Sequence, residues 1–198
     1  MITHWNFYKM IRIGILGDMG SGKSYVANSF GYPVFNADNE VSKLYKKNKK
    51  IFKQLKKQLP DQITFFPIDK HEVTKAILSK KSNLKKIIKI VHVEIRKNMK
   101  LFIKKNKNKK IIILDIPLLL ENKINNKSDI LVFVESKKKD IEKRIKKRVN
   151  FNRRLFNKFK NIQYSKSYKK SKSDFIIKND FTKKSVKKGI RSILNKIQ

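Results

Sequence analysis

The sequence predicts an α/β fold in which a parallel sheet is covered by helices on both faces. Three observations carry this. Short apolar runs alternate with amphipathic helical stretches along the chain. The first run, 11–16, leads into a glycine-rich turn and then a helix. Residues 48–108 are lysine-rich, mostly helical in pattern and too long for a simple crossover, which predicts a helical lobe set into the fold.

Each element has a local signal. Residues 11–16, Ile-Arg-Ile-Gly-Ile-Leu, read as a buried strand. Residues 23–30 place Val26, Ala27 and Phe30 at helical spacing, and Gly31 stops them. A brief strand over 33–35 leads to Asn36-Ala37-Asp38, where Asp38 is a candidate N-cap for a helix over 39–47. In the lobe, Ile87, Ile88, Val91, Ile95, Met99 and Phe102 form one apolar helix face, and Pro60–Asp69 is a break. Strands follow over 111–114, ended by Asp115, and over 130–134, preceded by Asp129. A helix over 137–148 comes next. Residues 150–172 read as a polar, basic flap with a helix from about residue 162. A strand over 175–177 and a helix over 181–197 close the chain. The expected organisation is a single domain: a core of 10–47, 109–148 and 173–198, a helical lobe of 48–108 and a lid of 149–172.

The 198 residues carry a formal charge of +36 and no cysteine, which excludes disulfides and thiolate metal sites. No apolar run is long enough to span a bilayer, and the first residues lack the apolar core of a signal peptide. A soluble, cytoplasmic protein with no membrane partner is expected. The charge attracts polyanions, but the lysines are spread along the chain, so most belong to solvated faces and no specific nucleic-acid partner is expected.

Gly17-Asp18-Met19-Gly20-Ser21-Gly22-Lys23-Ser24 fits the P-loop pattern G-x-x-x-x-G-K-[ST], placed between a predicted strand and a predicted helix. Glycines let successive N–H groups face one phosphate, and the helix that begins there adds its positive dipole end. Gly17, Gly20, Ser21, Gly22 and Lys23 are therefore candidate ATP ligands. Ser24 is a candidate Mg²⁺ ligand, and Tyr25 directly after the motif is grouped with the ATP-binding residues. Asp115, ending a strand beside the cradle, is a second candidate for Mg²⁺. Asp38 ends the second strand, where it either accepts a proton from an attacking hydroxyl or caps the next helix. His92 and Arg96 share a helix face, as do Arg144 and Arg148, and such pairs can clamp phosphates.

Together these segments resemble the dephospho-CoA kinase family over nearly the whole chain. The loop GDMGSGKS is similar to the family's GGIGSGKS, and Asn-Ala-Asp at 36–38 to its Asp-Ala-Asp. Residues 91–96, Val-His-Val-Glu-Ile-Arg, resemble its His-Pro-x-Ile-Arg segment. Residues 115–121, Asp-Ile-Pro-Leu-Leu-Leu-Glu, resemble its Asp-Val-Pro-Leu-Leu-Phe-Glu and are the most specific match. Gln163, Lys169 and 173–177 keep the spacing of its last segment. The resemblance implies a P-loop NTPase three-layer fold with an inserted substrate lobe and a lid. It implies transfer of the ATP γ-phosphoryl group to the ribose 3′-hydroxyl of dephospho-CoA, with Mg²⁺. Asp38 would be the base, helped by Lys23 and Asp115. His92, Arg96 and Leu118 would face the acceptor, and Arg144, Arg148 and the flap would face ATP. Asp18 stands where the family has glycine, Asn36 where it has aspartate, and Val93 where it has proline. A monomer or small homo-oligomer is expected. The rival readings are another small-molecule kinase on this scaffold, acting on nucleosides or nucleotides, and a basic nucleic-acid-binding P-loop protein.

Overall fold

The computed structural model describes residues 10–147 and 151–197. In chain order the elements are β1 (Ile11–Gly17), α1 (Lys23–Ser29), β2 (Val34–Asn36), α2 (Ala37–Lys47), α3 (Lys49–Gln58), α4 (Lys70–Ser79), α5 (Lys81–Lys105), β3 (Ile111–Asp115), β4 (Ile130–Glu135), α6 (Lys138–Lys146), α7 (Arg153–Asn161), α8 (Lys166–Ser171), β5 (Phe175–Lys178) and α9 (Lys183–Ile197). The strands form one parallel sheet in the order β2-β3-β1-β4-β5.

Strand alternation divides the core. Ile13, Ile15, Ile111, Ile113, Val132 and Val134 point to one face, where α1 and α9 cover them through Val26, Ala27, Val186 and Ile190. Leu16, Ile112, Leu114, Leu131 and Phe133 point to the other face and join α2–α5 through Leu44, Ile51, Leu55, Ile87, Val91 and Ile95. The helices of 48–108 therefore have no separate core: their apolar stripe continues that of the sheet. The predicted face of α5 is present, with Ile87, Val91, Ile95 and Met99 buried and Ile88 and Phe102 partly so. Across the sheet, Arg12 of β1 meets Asp129 before β4 at two points, Nε to Oδ1 at 2.9 Å and a second nitrogen to Oδ2 at 3.0 Å. That two-point pairing fixes the start of β4 against the central strand.

Two expectations are corrected. The cap of α2 is Asn36, whose side-chain oxygen accepts from the Asn39 N–H at 2.8 Å, so the helix starts at Ala37 and Asp38 lies inside its first turn. Asp38 thus is not the N-cap. The flap holds two helices, and Ile162, expected to begin one, ends the first. Asn152 caps α7 by accepting from the Leu155 N–H at 2.9 Å, and Leu155, Phe159 and Ile162 dock on the core at helical spacing.

The topology brings the carboxyl ends of β1, β2 and β3 together, where open parallel sheets bind ligands. Gly17, Asn36 and Asp115 end these strands, and Asn36 is in register with Asp115.

Candidate active site

The loop from Gly17 to Gly22 leaves the central strand and enters α1 at Lys23, as the motif predicts. It is held from behind. The Ser21 carbonyl accepts from Ser136 Oγ at 3.0 Å and from Asn179 Nδ2 at 2.8 Å. Gly22 has φ 90°, and a Cβ there would lie 2.5 Å from Asn179 Nδ2, so both backbone and packing require glycine. Ser21 Oγ is buried and makes no hydrogen bond among the described residues. Ser24 and Tyr25 are exposed at the start of α1. The α1 N–H groups of this first turn are open to an anion, which is the fit a phosphate chain needs.

Lys23 Nζ donates to the carbonyls of Gly17 at 3.1 Å and Asp18 at 3.0 Å. Burial lowers its pKa to about 8; the carboxylates of Asp115, Asp18 and Asp38 act in the opposite direction, and the charge of Lys169 adds to the lowering. A phosphate on Lys23, as the motif predicts, would favour the charged ammonium, so ATP affinity is expected to fall as pH rises above about 8, by roughly tenfold per pH unit for one required proton. The fold responds with the opposite sign: the unfolded chain binds more protons between about 8 and 10.5, so the contribution of Lys23 to stability rises across that window. ATP dissociation constants measured from pH 7 to 10 check the first expectation, and a flat profile contradicts it.

Asp18, the residue that departs from the motif's usual glycine, is paired. Its Oδ1 lies 2.6 Å from Nζ of Lys169 on α8, and the Lys169 side chain is only 4% exposed. Glu135, at the end of β4, also holds α8 through Lys166 at 3.0 Å and Lys170 at 3.3 Å. From the segment 149–172, Lys169 reaches the loop, whereas Arg153 and Arg154 stand exposed at the start of α7.

Asp115 is buried, and its Oδ2 accepts from Asn36 Nδ2 at 2.6 Å. Asn36 therefore ties β2 to β3 and caps α2 with one amide, a double task that needs one donor and one acceptor. An ionised aspartate has no donor to offer Asp115. After Asp115 the chain turns sharply. Leu118 has φ 59°, a strained value for leucine. Its carbonyl accepts from the Asn122 N–H at 3.0 Å. Leu119 packs onto β1 where a Cβ on Gly14 would lie 2.6 Å from it, so Gly14 makes room for this turn.

Asp38 lines a cavity of about 480 Å³ with Tyr45, Ile77, His92, Leu118 and Phe159 among its walls. Its carboxylate is the last of the charges that oppose the lowering of the Lys23 pKa. A narrow gap beside the loop, lined by Gly17, Lys23, Leu118, Glu121, Gln163 and Lys169, shares Ile116 and Leu118 with the walls of that cavity. His92 is half-buried; burial and then the charge of Arg96 hold it below its usual pKa. Arg96 donates to the Asn122 carbonyl at 3.1 Å. Asp38, His92 and Leu118 thus line one cavity, Lys23 and Leu118 line the gap that shares its wall, and Asp115 acts on Lys23. Arg144 lies on α6 with its guanidinium 4.4 Å from the centroid of the Phe181 ring, beside Gly22. Arg148 lies outside the described residues.

Sequence reasoning missed Ser136, Asn179 and Phe181 as supports of the loop, and it quoted Lys169 without a role. Asn179 and Phe181 follow the last strand directly, so the rule that ligands gather at strand ends could have singled them out.

A family model described as dephospho-CoA kinase matches residues 11–185. Among curated proteins, dephospho-CoA kinase of Wolbachia pipientis wMel is 33% identical over 190 residues, covering 93% of this chain and 97% of the relative. Among solved structures, TT1252 from Thermus thermophilus superposes with a TM-score of 0.78 at 22% identity, covering 96% of this chain and 99% of that one. Dephospho-CoA kinase from Campylobacter jejuni superposes with a TM-score of 0.57 at 22% identity, covering 94% and 97%.

Proposed function

The chain belongs to the dephospho-CoA kinase family, and from that premise we propose how its own residues carry out the reaction. The activity is ATP-dependent phosphorylation of dephospho-CoA on its ribose 3′-hydroxyl, giving coenzyme A and ADP. The single observation that supports the residue assignment best is the placement of Asp38: it faces an apolar cavity on one side and acts on the P-loop lysine on the other.

Residues 17–24 cradle the ATP phosphates, with Lys23 on the outer ones. The acceptor enters the cavity between the sheet and α2, α4, α5 and α7, and Asp38 takes the proton of the attacking hydroxyl. Ser24 and Asp115 would hold Mg²⁺. The donor chemistry fits, since magnesium takes few protein oxygens and completes its shell with water and phosphate oxygens. When bound, the metal neutralises charge on the transferring phosphoryl group. Arg144, and Tyr25 at the start of α1, contribute on the ATP side. His92, Arg96 and Leu118 shape the acceptor side.

The organisation follows: a core of 10–47, 109–148 and 173–198, an acceptor lobe of 48–108, and a lid of 149–172. The lid serves both substrates, because Leu155 and Phe159 of α7 line the acceptor cavity while Lys169 of α8 meets the loop. Closing it keeps water from the γ-phosphate. No helix among the described residues is long and apolar enough to cross a membrane; we place the enzyme in the cytoplasm, acting as a monomer or small homo-oligomer. An acceptor panel tests the reading. ADP release is expected to require dephospho-CoA and to be far slower with nucleosides, nucleoside monophosphates or shikimate. A preference for any of the latter contradicts it.

A further inference from the structure

A second cavity, of about 520 Å³, adjoins the acceptor cavity. The two share Ile88, His92 and Leu118 as a common wall. Their chemistry differs. The Asp38 side is lined mainly by apolar residues, including Tyr45, Leu84, Ile87 and Phe159. The second cavity is lined by the cations Lys85, Lys89 and Arg96 against one carboxylate, Glu121. Lys85, Lys89, His92 and Arg96 recur at four- and three-residue steps along α5, so they form one stripe on one helix face. Lys85 and Lys89 are exposed like charges at i and i+4, an arrangement that costs helix stability unless an anion lies between them. Glu121 is engaged elsewhere: its Oε1 accepts from the Tyr164 N–H at 2.8 Å.

We propose that Lys85 and Lys89 form a diphosphate-binding subsite, which receives the 5′-diphosphate of the acceptor while its nucleoside occupies the apolar cavity beside Asp38. This rests on the reading of the acceptor given above. The chemistry matches part by part. Dephospho-CoA has an adenosine, whose 3′-hydroxyl must reach Asp38, and a diphosphate on the 5′ carbon that leads to the pantetheine arm. A ligand with its ribose at Asp38 and its 5′ side directed past His92 and Leu118 meets Lys85 and Lys89 next. The subsite would therefore discriminate between dephospho-CoA and nucleosides that lack the diphosphate, by ionic contacts that only the former can make. The overall charge of +36 does not supply this discrimination, because a diffuse field acts on ATP and acceptor alike.

The test is steady-state kinetics of the full chain carrying Lys85→Gln and Lys89→Gln together. A matched control, Lys100→Gln with Lys104→Gln, removes the same charge from exposed positions of the same helix outside this cavity. KM for dephospho-CoA is expected to rise about tenfold in the cavity variant, with kcat and KM for ATP unchanged and the control near wild type. Inorganic pyrophosphate is expected to compete with dephospho-CoA in wild type and to lose that effect in the cavity variant. An unchanged KM, or an equal rise in both variants, overturns the subsite. If wild type itself does not phosphorylate dephospho-CoA, the reading of the acceptor falls first and the subsite with it.

Discussion

Asp38→Asn is expected to lower kcat for acceptor phosphorylation by about 10²–10⁴ while leaving the fold and both KM values close to wild type. Asparagine matches aspartate in size but takes no proton from a hydroxyl at neutral pH. The fold is expected to respond by no more than about 1 kcal/mol, the size of a first-turn charge at a helix N-terminus, because the cap of α2 is Asn36 and Asp38 is exposed. In the proposed reading Asp38, in the wall of the cavity, takes the proton of the hydroxyl that attacks a phosphoryl group held by Lys23. Thermal unfolding and kcat measured on the same preparation separate the two effects. A variant that turns over at the wild-type rate removes Asp38 from the role of base.

Lys169→Met is expected to raise KM for ATP by about tenfold, the size of one uncompensated charge near the phosphates after allowance for the partial exposure of Asp18. Methionine keeps the apolar stem but leaves the Asp18 carboxylate without its 2.6 Å partner inside a loop that must hold a polyanion. Asp18→Asn in the same chain is expected to restore most of the loss, since it removes the charge that Lys169 balances. Asp18→Asn alone is expected to change KM for ATP little. The four measurements form a double-mutant cycle, and additive effects contradict the coupling. The pair also ties α8 to the loop, and the two lysines on Glu135 tie α8 to β4.

The strands and the cradle were legible because their signals are local. A short buried run such as 11–16 cannot be solvated on either face, and the glycine spacing of 17–22 has few other uses. The face of α5 was legible for the same reason: its period is written in one segment. What stayed hidden depends on distant partners. Asn179 supports Ser21 across 158 positions, and Lys169 meets Asp18 across 151. In a chain with this much lysine, no local feature marks Lys169 as a buried one. Asp38 shows the limit in a sharper form, since base and helix cap fit the same local pattern. The hydrogen bond from Asn39 to Asn36 rules out the cap, and the role of base is left to the kinetic test. The first lid helix was a different kind of miss, because Asn152, Leu155, Phe159 and Ile162 carry a readable cap and period that the surrounding basic residues obscured.

Identification of the product tests the central claim most directly. Purified protein incubated with ATP, Mg²⁺ and dephospho-CoA is expected to yield coenzyme A, seen in phosphorus NMR as a new phosphomonoester on the ribose 3′ position alongside ADP. ADP that accumulates at the same rate without dephospho-CoA, or a phosphoryl group found at any other position, contradicts the account.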